Sequence, residues 1–281
     1  LGMPLLSRNV RFGPPLKLTG WRKAAIGTWH SGGDPSVYGS IELDMSPMLA
    51  YLEKLKTQTE LRLTLTHIVG KAVAETLSRH PQINSVLRWG RLYPRKSIDV
   101  LFQVASDHHG NDLSGAVIRE ADKKSVIEIA DELHTRIKNI RHEGDHDFKK
   151  MKSTMRMLPG VLAYPMIKIT GLIMYGFNLW SPIFGTPKDP FGSVMVTNIG
   201  SLGLDSAYVP LVPYCRIPLL VAIGAVNAKA VVKEGKVAVD PVSKISVTFD
   251  HRIIDGVHGA HMSKTFAQIF KNPEKELSGL K

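Results

Sequence analysis

The sequence has almost no cysteine, since Cys215 is the only one among 281 residues. One thiol excludes an internal disulfide and is typical of a protein from a reducing compartment. The chain also lacks an amino-terminal basic region followed by an apolar run, so no signal peptide is predicted and a cytoplasmic location is expected. Cys215 has no second thiol as a partner, and we do not expect it to act as a nucleophile.

No recognised nucleic-acid motif is present, although the formal net charge is +11 at pH 7. The 36 Lys and Arg residues are spread along the chain, so we predict anionic partners other than nucleic acid. A phosphate-bearing cofactor, an acidic protein or a membrane surface would each fit this charge. His108 and His109 lie in a polar loop without a second cluster at metal-ligand spacing, so no metal site is predicted.

One strongly apolar segment covers residues 159–187. Its central part, 161–180, is long enough to span a bilayer, but Pro165, Lys168 and two glycines interrupt it. The basic residues before it would suit an interfacial helix on anionic lipid, which would make the protein membrane-associated. We favour a helical insertion at about 160–187 that packs on its own domain or on a neighbouring subunit.

The rest of the chain mixes helices and strands without an internal repeat. Residues 1–20 are rich in proline and glycine and predict an extended arm that is not packed. Helical spacing predicts helices that begin at Ser46-Pro47 and cover about 65–79 and 122–142, and alternation predicts strands at about 98–105, 115–118, 193–198, 218–224, 229–239 and 244–249. This order predicts one α+β domain over 21–281, with a mixed sheet and helices largely on one face.

The stretch 244–270 contains the strongest candidate for catalysis. His251 stands at the end of a predicted strand, and Asp255 and Gly256 follow before a helical pattern begins. Imidazole is the side chain whose ordinary pKa lies near neutral pH, and a strand end is a rigid mount for proton transfer. This pattern alone also fits a purely structural histidine.

The segment DHRIIDG at 250–256 resembles the DHRxxDG signature of the E2 acyltransferases of 2-oxo acid dehydrogenase complexes. It shares the HxxxDG core with chloramphenicol acetyltransferase. Further segments resemble the family in its own order: GSIELDMSPMLAYLEKLK, LTLTHIVGKAVAETLSRHPQINSVL, GAVIREADKKSVIEIADEL, FGSVMVTNIGSLG and PLLVAIG. The resemblance covers about residues 20–275, apart from 160–187, and implies a chloramphenicol acetyltransferase-like two-layer sandwich.

The resemblance also implies a homotrimer, or a multiple of it, with each active site in a channel between two subunits. Coenzyme A as acyl-CoA substrate and a lipoyl or other carrier thiol would exchange the acyl group there. His251 would be the general base. Thr197 stands where the family has the serine of TxSN, so it would donate to the tetrahedral oxyanion, with an added methyl group that restricts χ1.

Four other residues receive expected roles by the same resemblance. Asp255 would support the histidine loop through an arginine, with Arg22 or Arg252 as its partner. Gly256 would let the chain turn closely into the last helix. Asn198 would shape the channel or form a turn, and Asn198, Arg252 and Gly256 are expected near the substrate or cofactor.

The sequence departs from a complete E2 chain in two respects. It has no lysine in a DKA-type hairpin that would carry lipoate, and no peripheral-subunit-binding domain with an Ala/Pro-rich linker. We therefore expect a stand-alone catalytic domain that takes its acyl group from coenzyme A, a separate lipoyl protein or an acyl carrier protein. Two alternatives are a catalytically inactive oligomeric scaffold and a coenzyme A-dependent O- or N-acyltransferase.

Overall fold

The computed structural model describes residues 7–17, 34–105, 113–142 and 160–277. Arg22, His108 and His109 lie outside these ranges. Along the chain the elements are β1 (Ser7–Arg8), β2 (Ser36–Asp44), α1 (Ser46–Lys56), α2 (Leu65–Arg79), β3 (Ser85–Arg88), β4 (Arg91–Pro94), β5 (Val100–Ala105), β6 (Leu113–Ile118), α3 (Val126–His142), α4 (Gly160–Gly171), β7 (Leu179–Trp180), β8 (Val194–Asn198), β9 (Leu219–Lys233), β10 (Lys236–Asp250), α5 (Gly256–Lys271) and α6 (Pro273–Leu277).

A six-stranded mixed sheet organises these elements, in the order β2-β10-β9-β8-β5-β6. Strand β8 runs parallel to both of its neighbours, β5 and β9, and the other pairs are antiparallel. Successive residues of β10 face opposite sides of the sheet. Ile245 is fully buried in the helix-side core, whereas the Thr248 hydroxyl donates to the Val209 carbonyl on the other side.

Two apolar cores lie on the two faces of the sheet. The larger one joins the sheet to the helices, and includes Met48, Ile68, Ile129, Ile269 and Leu277. The smaller one joins Leu101, Met195 and Leu220 to the connection that precedes β9. One layer of helices on a mixed sheet confirms the predicted α+β class.

Strands β9 and β10 form a long hairpin that turns at Glu234 and Gly235, both with positive φ. The part of this hairpin near its turn extends beyond the rest of the sheet, and one of its two faces there is apolar. Val232 pairs with Val237 across the strands, and all that surface is exposed, with relative exposures of 73% and 77% for these two valines. Such a surface is typical of a protein–protein contact.

The amino-terminal arm is extended but packed, so the prediction of an unpacked arm is wrong for residues 7–17. Strand β1 pairs with β7, and Asn9 and Val10 are buried. Asn178 donates to the Val10 carbonyl at 3.0 Å and accepts from the Val10 amide at 2.8 Å. These side chain-to-backbone bonds hold the arm without any periodic apolar pattern, which explains why the sequence did not indicate packing.

The apolar segment forms α4, a π-helical turn at Leu172–Gly176 and β7. Met174, Tyr175 and Trp180 are buried with Val10 and Val86, so part of the segment packs on its own domain. A buried ion pair between Arg95 and Asp189 secures its end. Within the described ranges, no helix combines the length and apolar character needed to cross a bilayer.

Candidate active site

His251 lies in the turn that follows β10, and hydrogen bonds from several elements fix this turn. Its backbone amide donates to the Pro35 carbonyl at 2.9 Å, and the Asp250 amide donates to the Pro218 carbonyl at 3.0 Å. The Asp250 carbonyl in turn accepts from the Ile254 amide at 2.8 Å. Residues before β2 and before β9 therefore hold the end of β10 from both sides.

The ring of His251 has a defined tautomer. Its Nδ1 lies 3.0 Å from the Ile254 carbonyl oxygen, and a carbonyl oxygen can only accept a hydrogen bond. The proton of the neutral ring is therefore on Nδ1, and Nε2 is the basic nitrogen. This arrangement is the one that a general base needs.

Arg252 binds Asp250, whereas Arg22, the other arginine expected as a partner of Asp255, lies outside the described residues. The guanidinium donates through Nε at 2.9 Å and Nη2 at 2.6 Å to the buried carboxylate. The Arg252 amide also donates to Asp250 Oδ1 at 2.9 Å. Because a carboxylate two residues away can accept all three donors, the turn closes on itself before Asp255 is reached.

Asp255 caps the first turn of α5. Its side chain accepts from the His258 amide at 3.0 Å, and the His258 Nδ1 lies 2.8 Å from the same oxygen. Such a cap contributes about 1 kcal/mol to helix stability. His258, which we did not predict as a site residue, thus contacts one.

Gly256 does not have the conformational role that we expected. Its φ is outside the left-handed range, and among the described residues an added Cβ would meet no heavy atom within 4 Å. Asp255 is already extended, with φ −100° and ψ −179°, so the helix begins without a close approach at Gly256.

Thr197 is the penultimate residue of β8 and is half-buried. Asn198 after it is held in place, since its amide donates to the Thr66 hydroxyl at 2.8 Å, at the start of α2. Its Oδ1 accepts from the Ser201 amide at 3.1 Å, so Asn198 also forms the turn after β8. Sequence reasoning missed Thr66, although it lies in the LTLTHIVG segment that carried the resemblance.

Within one chain, Thr197 and His251 do not meet. Thr197 pairs with Ala222 of β9, and Ala222 pairs with Ser246 of β10. His251 follows Ser246 by five residues along β10, which is about 16 Å, and two strand spacings add about 10 Å across the sheet. The two residues therefore occupy opposite ends of the sheet, because β8 and β10 run in opposite directions.

Three further features bear on possible chemistry in the described part of the chain: a thiol, an arginine near the histidine turn, and the search for metal ligands. Cys215 is buried, and burial raises the pKa of its thiol to about 12. Burial, and then the nearby Arg252, lower the pKa of Arg216, which lies beside the histidine turn. Among the described residues, no three His, Cys, Asp or Glu side chains come together as a possible metal site.

Solved structures share this fold. A probable dihydrolipoamide acetyltransferase from Listeria monocytogenes superposes with a TM-score of 0.66 at 19% identity, over 96% of this chain and 99% of that one. A chloramphenicol acetyltransferase gives 0.51 at 14% identity, over 89% and 94%. The fold is therefore chloramphenicol acetyltransferase-like, as predicted.

The sequence defines the family more closely. The chain belongs to the 2-oxoacid dehydrogenases acyltransferase (catalytic domain) family, whose model matches residues 16–155 and 190–278. Residues 156–189, which lie between the two matched ranges, include the apolar segment.

Curated relatives agree with this assignment. The acetyltransferase component of the pyruvate dehydrogenase complex of Staphylococcus epidermidis is 23% identical over 90% of this chain and 49% of that protein. The succinyltransferase component of the 2-oxoglutarate dehydrogenase complex of Rickettsia felis is 27% identical over 85% and 50%. The chain thus spans about half the length of these relatives.

A third solved structure shares the fold. The dihydrolipoamide acetyltransferase of Azotobacter vinelandii has a TM-score of 0.64 at 19% identity, over 94% of this chain and 99% of that one. It was studied for the roles of a serine, a histidine and an asparagine in its catalytic mechanism.

Proposed function

We propose that the chain transfers an acyl group between two thiols, those of coenzyme A and of a lipoyl or other carrier, with His251 as general base. The hydrogen bond between His251 Nδ1 and the Ile254 carbonyl carries this proposal, because it makes Nε2 the proton acceptor. The thiol proton passes to Nε2 as the sulfur attacks the thioester carbon. The tetrahedral intermediate then expels the other sulfur as a thiolate, which takes the proton back from Nε2.

Thr197 is proposed as the hydroxyl donor to the oxyanion of that intermediate. Its place at the end of β8, braced by the bond from Asn198 to Thr66, supports this role. The family resemblance of the VTN segment to TxSN supports it as well. Asp255 is proposed as a positioning residue, since it caps the helix that follows the histidine turn.

The active site is proposed to form between subunits of a homotrimer or a multiple of it. The separation of Thr197 from His251 supports this arrangement, because only a second copy would bring a Thr197 to a given His251. The exposed apolar face of the β9–β10 hairpin gives further support, since valines such as Val232 and Val237 require a partner to leave water.

Acyl transfer with a panel of acceptors tests the proposal. Purified protein is incubated with acetyl-CoA and a dithiol, an alcohol or an amine, for wild type, His251→Ala and the matched control His261→Ala. We expect thiol transfer that falls about 10²–10⁴-fold in His251→Ala and stays unchanged for the exposed His261. Equal rates in wild type and His251→Ala would remove the base assignment. No transfer to any acceptor, from acetyl-CoA or from acyl-CoAs with longer chains, would favour an inactive scaffold.

Contact with an anionic membrane surface is a second candidate function, which the exposed face of α4 favours. Leu162 and Ile169 lie on this face, Leu172 follows them at helical spacing in the π-helical turn, and all three are exposed. Trp89 and Phe177 extend this face, and their ring centroids are 5.7 Å apart. Both rings are exposed. We call these five residues the exposed apolar stripe. An aromatic pair beside aliphatic side chains suits a lipid interface.

A further inference from the structure

An apolar cavity of about 360 Å³ lies between the sheet and helix α5. Side chains of β9, β10 and α5 form its walls, among them Val221, Ile245, Val247, Phe249, Met262 and Phe266. No charged side chain is among the described residues that line it. The Thr76 hydroxyl donates to the Ala72 carbonyl of its own helix at 2.8 Å, so it needs no partner from a ligand. The volume and the apolar lining are typical of small-molecule sites.

Glycines keep this cavity open. Gly39 occupies a position of β2 that faces the helices, between Val37 and Ile41, and an added Cβ would meet no atom of the described residues within 4 Å. A Cβ at Gly259 would first meet the Phe249 ring, at 3.7 Å. Neither glycine has a positive φ, so the backbone does not require either of them. Glycine inside a strand weakens it and often marks the close approach of a ligand.

One end of the cavity lies at the histidine turn. Val37 and Phe249 line this end and pair across β2 and β10. The next pair joins Ser36 to Asp250, and the His251 amide donates to the Pro35 carbonyl. The opposite end lies at the pair of Ile41 and Ile245, four residues further, which gives a length of about 13 Å along the strands.

We propose that this cavity binds the aliphatic tail of the transferred acyl group, and that the substrates are medium-chain acyl thioesters. The proposal rests on the acyl transfer at His251 proposed above. An acetyl group would leave most of the cavity unfilled. A succinyl group would bring a carboxylate to walls that offer it no charged partner, and burying such a group is unfavourable.

A chain-length series tests this substrate class. Transfer to a dithiol is measured with acetyl-, butyryl-, octanoyl- and decanoyl-CoA for wild type, Gly39→Val, Gly259→Leu and the control Ala50→Val, which is exposed on α1. In wild type, we expect kcat/KM to rise about fourfold for each added methylene that the cavity buries. In Gly39→Val and Gly259→Leu, the octanoyl-to-acetyl ratio should fall at least tenfold, while Ala50→Val keeps it.

Gly39→Val and Gly259→Leu are the filled variants, because their side chains would occupy the cavity. Their folding is checked by their unfolding temperature. Because the Gly39 position is open and valine is a strong strand former, Gly39→Val should be at least as stable as wild type. A flat chain-length profile in wild type, with transfer intact, would overturn the cavity proposal alone. A loss of stability in both filled variants would do so too, since it would show that the chain itself fills the space.

A binding measurement tests the cavity independently of acyl transfer. Decanoyl-CoA and coenzyme A are compared by calorimetry on His251→Ala with and without Gly39→Val. Tighter binding of decanoyl-CoA that is lost with Gly39→Val would support the cavity even if no transfer were found and the proposed function failed. Equal binding of the two molecules would overturn the cavity proposal whatever the transfer assay shows.

Discussion

Thr197 and His251 lie about 19 Å apart, at opposite ends of the same sheet, by the register of β8, β9 and β10. A hydroxyl and an imidazole that act on one thioester carbon must both be within hydrogen-bond reach of it. The two residues of one chain cannot meet this requirement together. Their separation is therefore the strongest structural argument for a site shared between copies.

Complementation between two inactive variants should reveal this sharing. Chains with His251→Ala and chains with Thr197→Ala are unfolded, mixed in equal amounts and refolded, or co-expressed with different tags. In a random cyclic trimer, about one quarter of the interfaces would combine an intact His251 with an intact Thr197. We expect mixed samples to recover about this fraction of wild-type acyl transfer.

Two controls define the result. Each variant alone should stay at its low rate after the same treatment, and mixing at a concentration where the chains are monomeric should give no recovery. Activity of the mixture equal to the mean of the two variants would contradict a shared site.

Thr197 should act through its hydroxyl and not through its methyl group. Thr197→Ser keeps the donor, so transfer should stay within about fivefold of wild type, whereas the nearly isosteric Thr197→Val should lower kcat about 10²–10³-fold. The measurement is kcat and KM at saturating acyl-CoA. Because His251 is untouched, the pH profile of the residual activity should keep its shape. Equal kcat for the serine and valine variants would contradict the oxyanion role.

Regular elements were predictable from the sequence because their apolar spacing is local. Helix α2 covers the predicted 65–79, and the strand that leads to His251 ends where the alternation ends. The hairpin turn at Glu234 and Gly235 was indicated by its residue types. In each case, the residues that define the element lie within one turn or one strand pair of each other.

The parts that were wrong depend on contacts between distant or polar residues. Asn9 donates to the Met174 carbonyl at 3.1 Å, although the two residues are 165 positions apart. No periodic pattern of apolar residues predicts such a bond. The ion pair of Arg252 with Asp250 depends on the geometry of a tight turn, which residue types alone do not fix. The apolar cavity escaped notice for a related reason, since one glycine in a strand pattern does not show which face it occupies.

The exposed apolar stripe should bind vesicles that carry negative charge. With Arg91 exposed next to the Trp89 turn and a formal net charge of +11, flotation at low salt should recover protein with phosphatidylglycerol-containing vesicles, and less with phosphatidylcholine alone. The double variant Ile169→Ser, Leu172→Ser should lose most of this binding. Leu202→Ser removes a leucine outside the stripe that is more exposed than either of these two residues, and it should bind like wild type.

Absence of wild-type protein from the vesicle fraction would contradict the membrane candidate. If the double variant also changed the oligomeric mass while wild type stayed off the vesicles, a second copy of the chain would be the partner of the stripe. Both samples are therefore measured by light scattering as well.

His67 should make folding stability depend on pH. It is buried in the first turn of α2, where its Nδ1 accepts from the Thr64 amide at 3.1 Å. Burial, and then the nearby His134, lower the pKa of His67 to about 4. The ordinary value of about 6.5 applies to the unfolded chain. The folded state therefore favours the neutral ring, and its stabilisation is present above pH 6.5 and is lost as the pH falls towards 4.

The variant His67→Gln isolates this effect, because a glutamine at the third helical position can accept from the Thr64 amide and does not titrate. Between pH 7.5 and pH 4.5, the free energy of unfolding should fall by about 2.5 kcal/mol more in wild type than in the variant. Urea unfolding at a series of pH values measures the difference. Parallel pH curves for the two proteins would mean that His67 titrates in the folded protein as it does in the unfolded chain. The start of α2, where the Thr66 hydroxyl binds Asn198 at the end of β8, would then be accessible to water instead of buried.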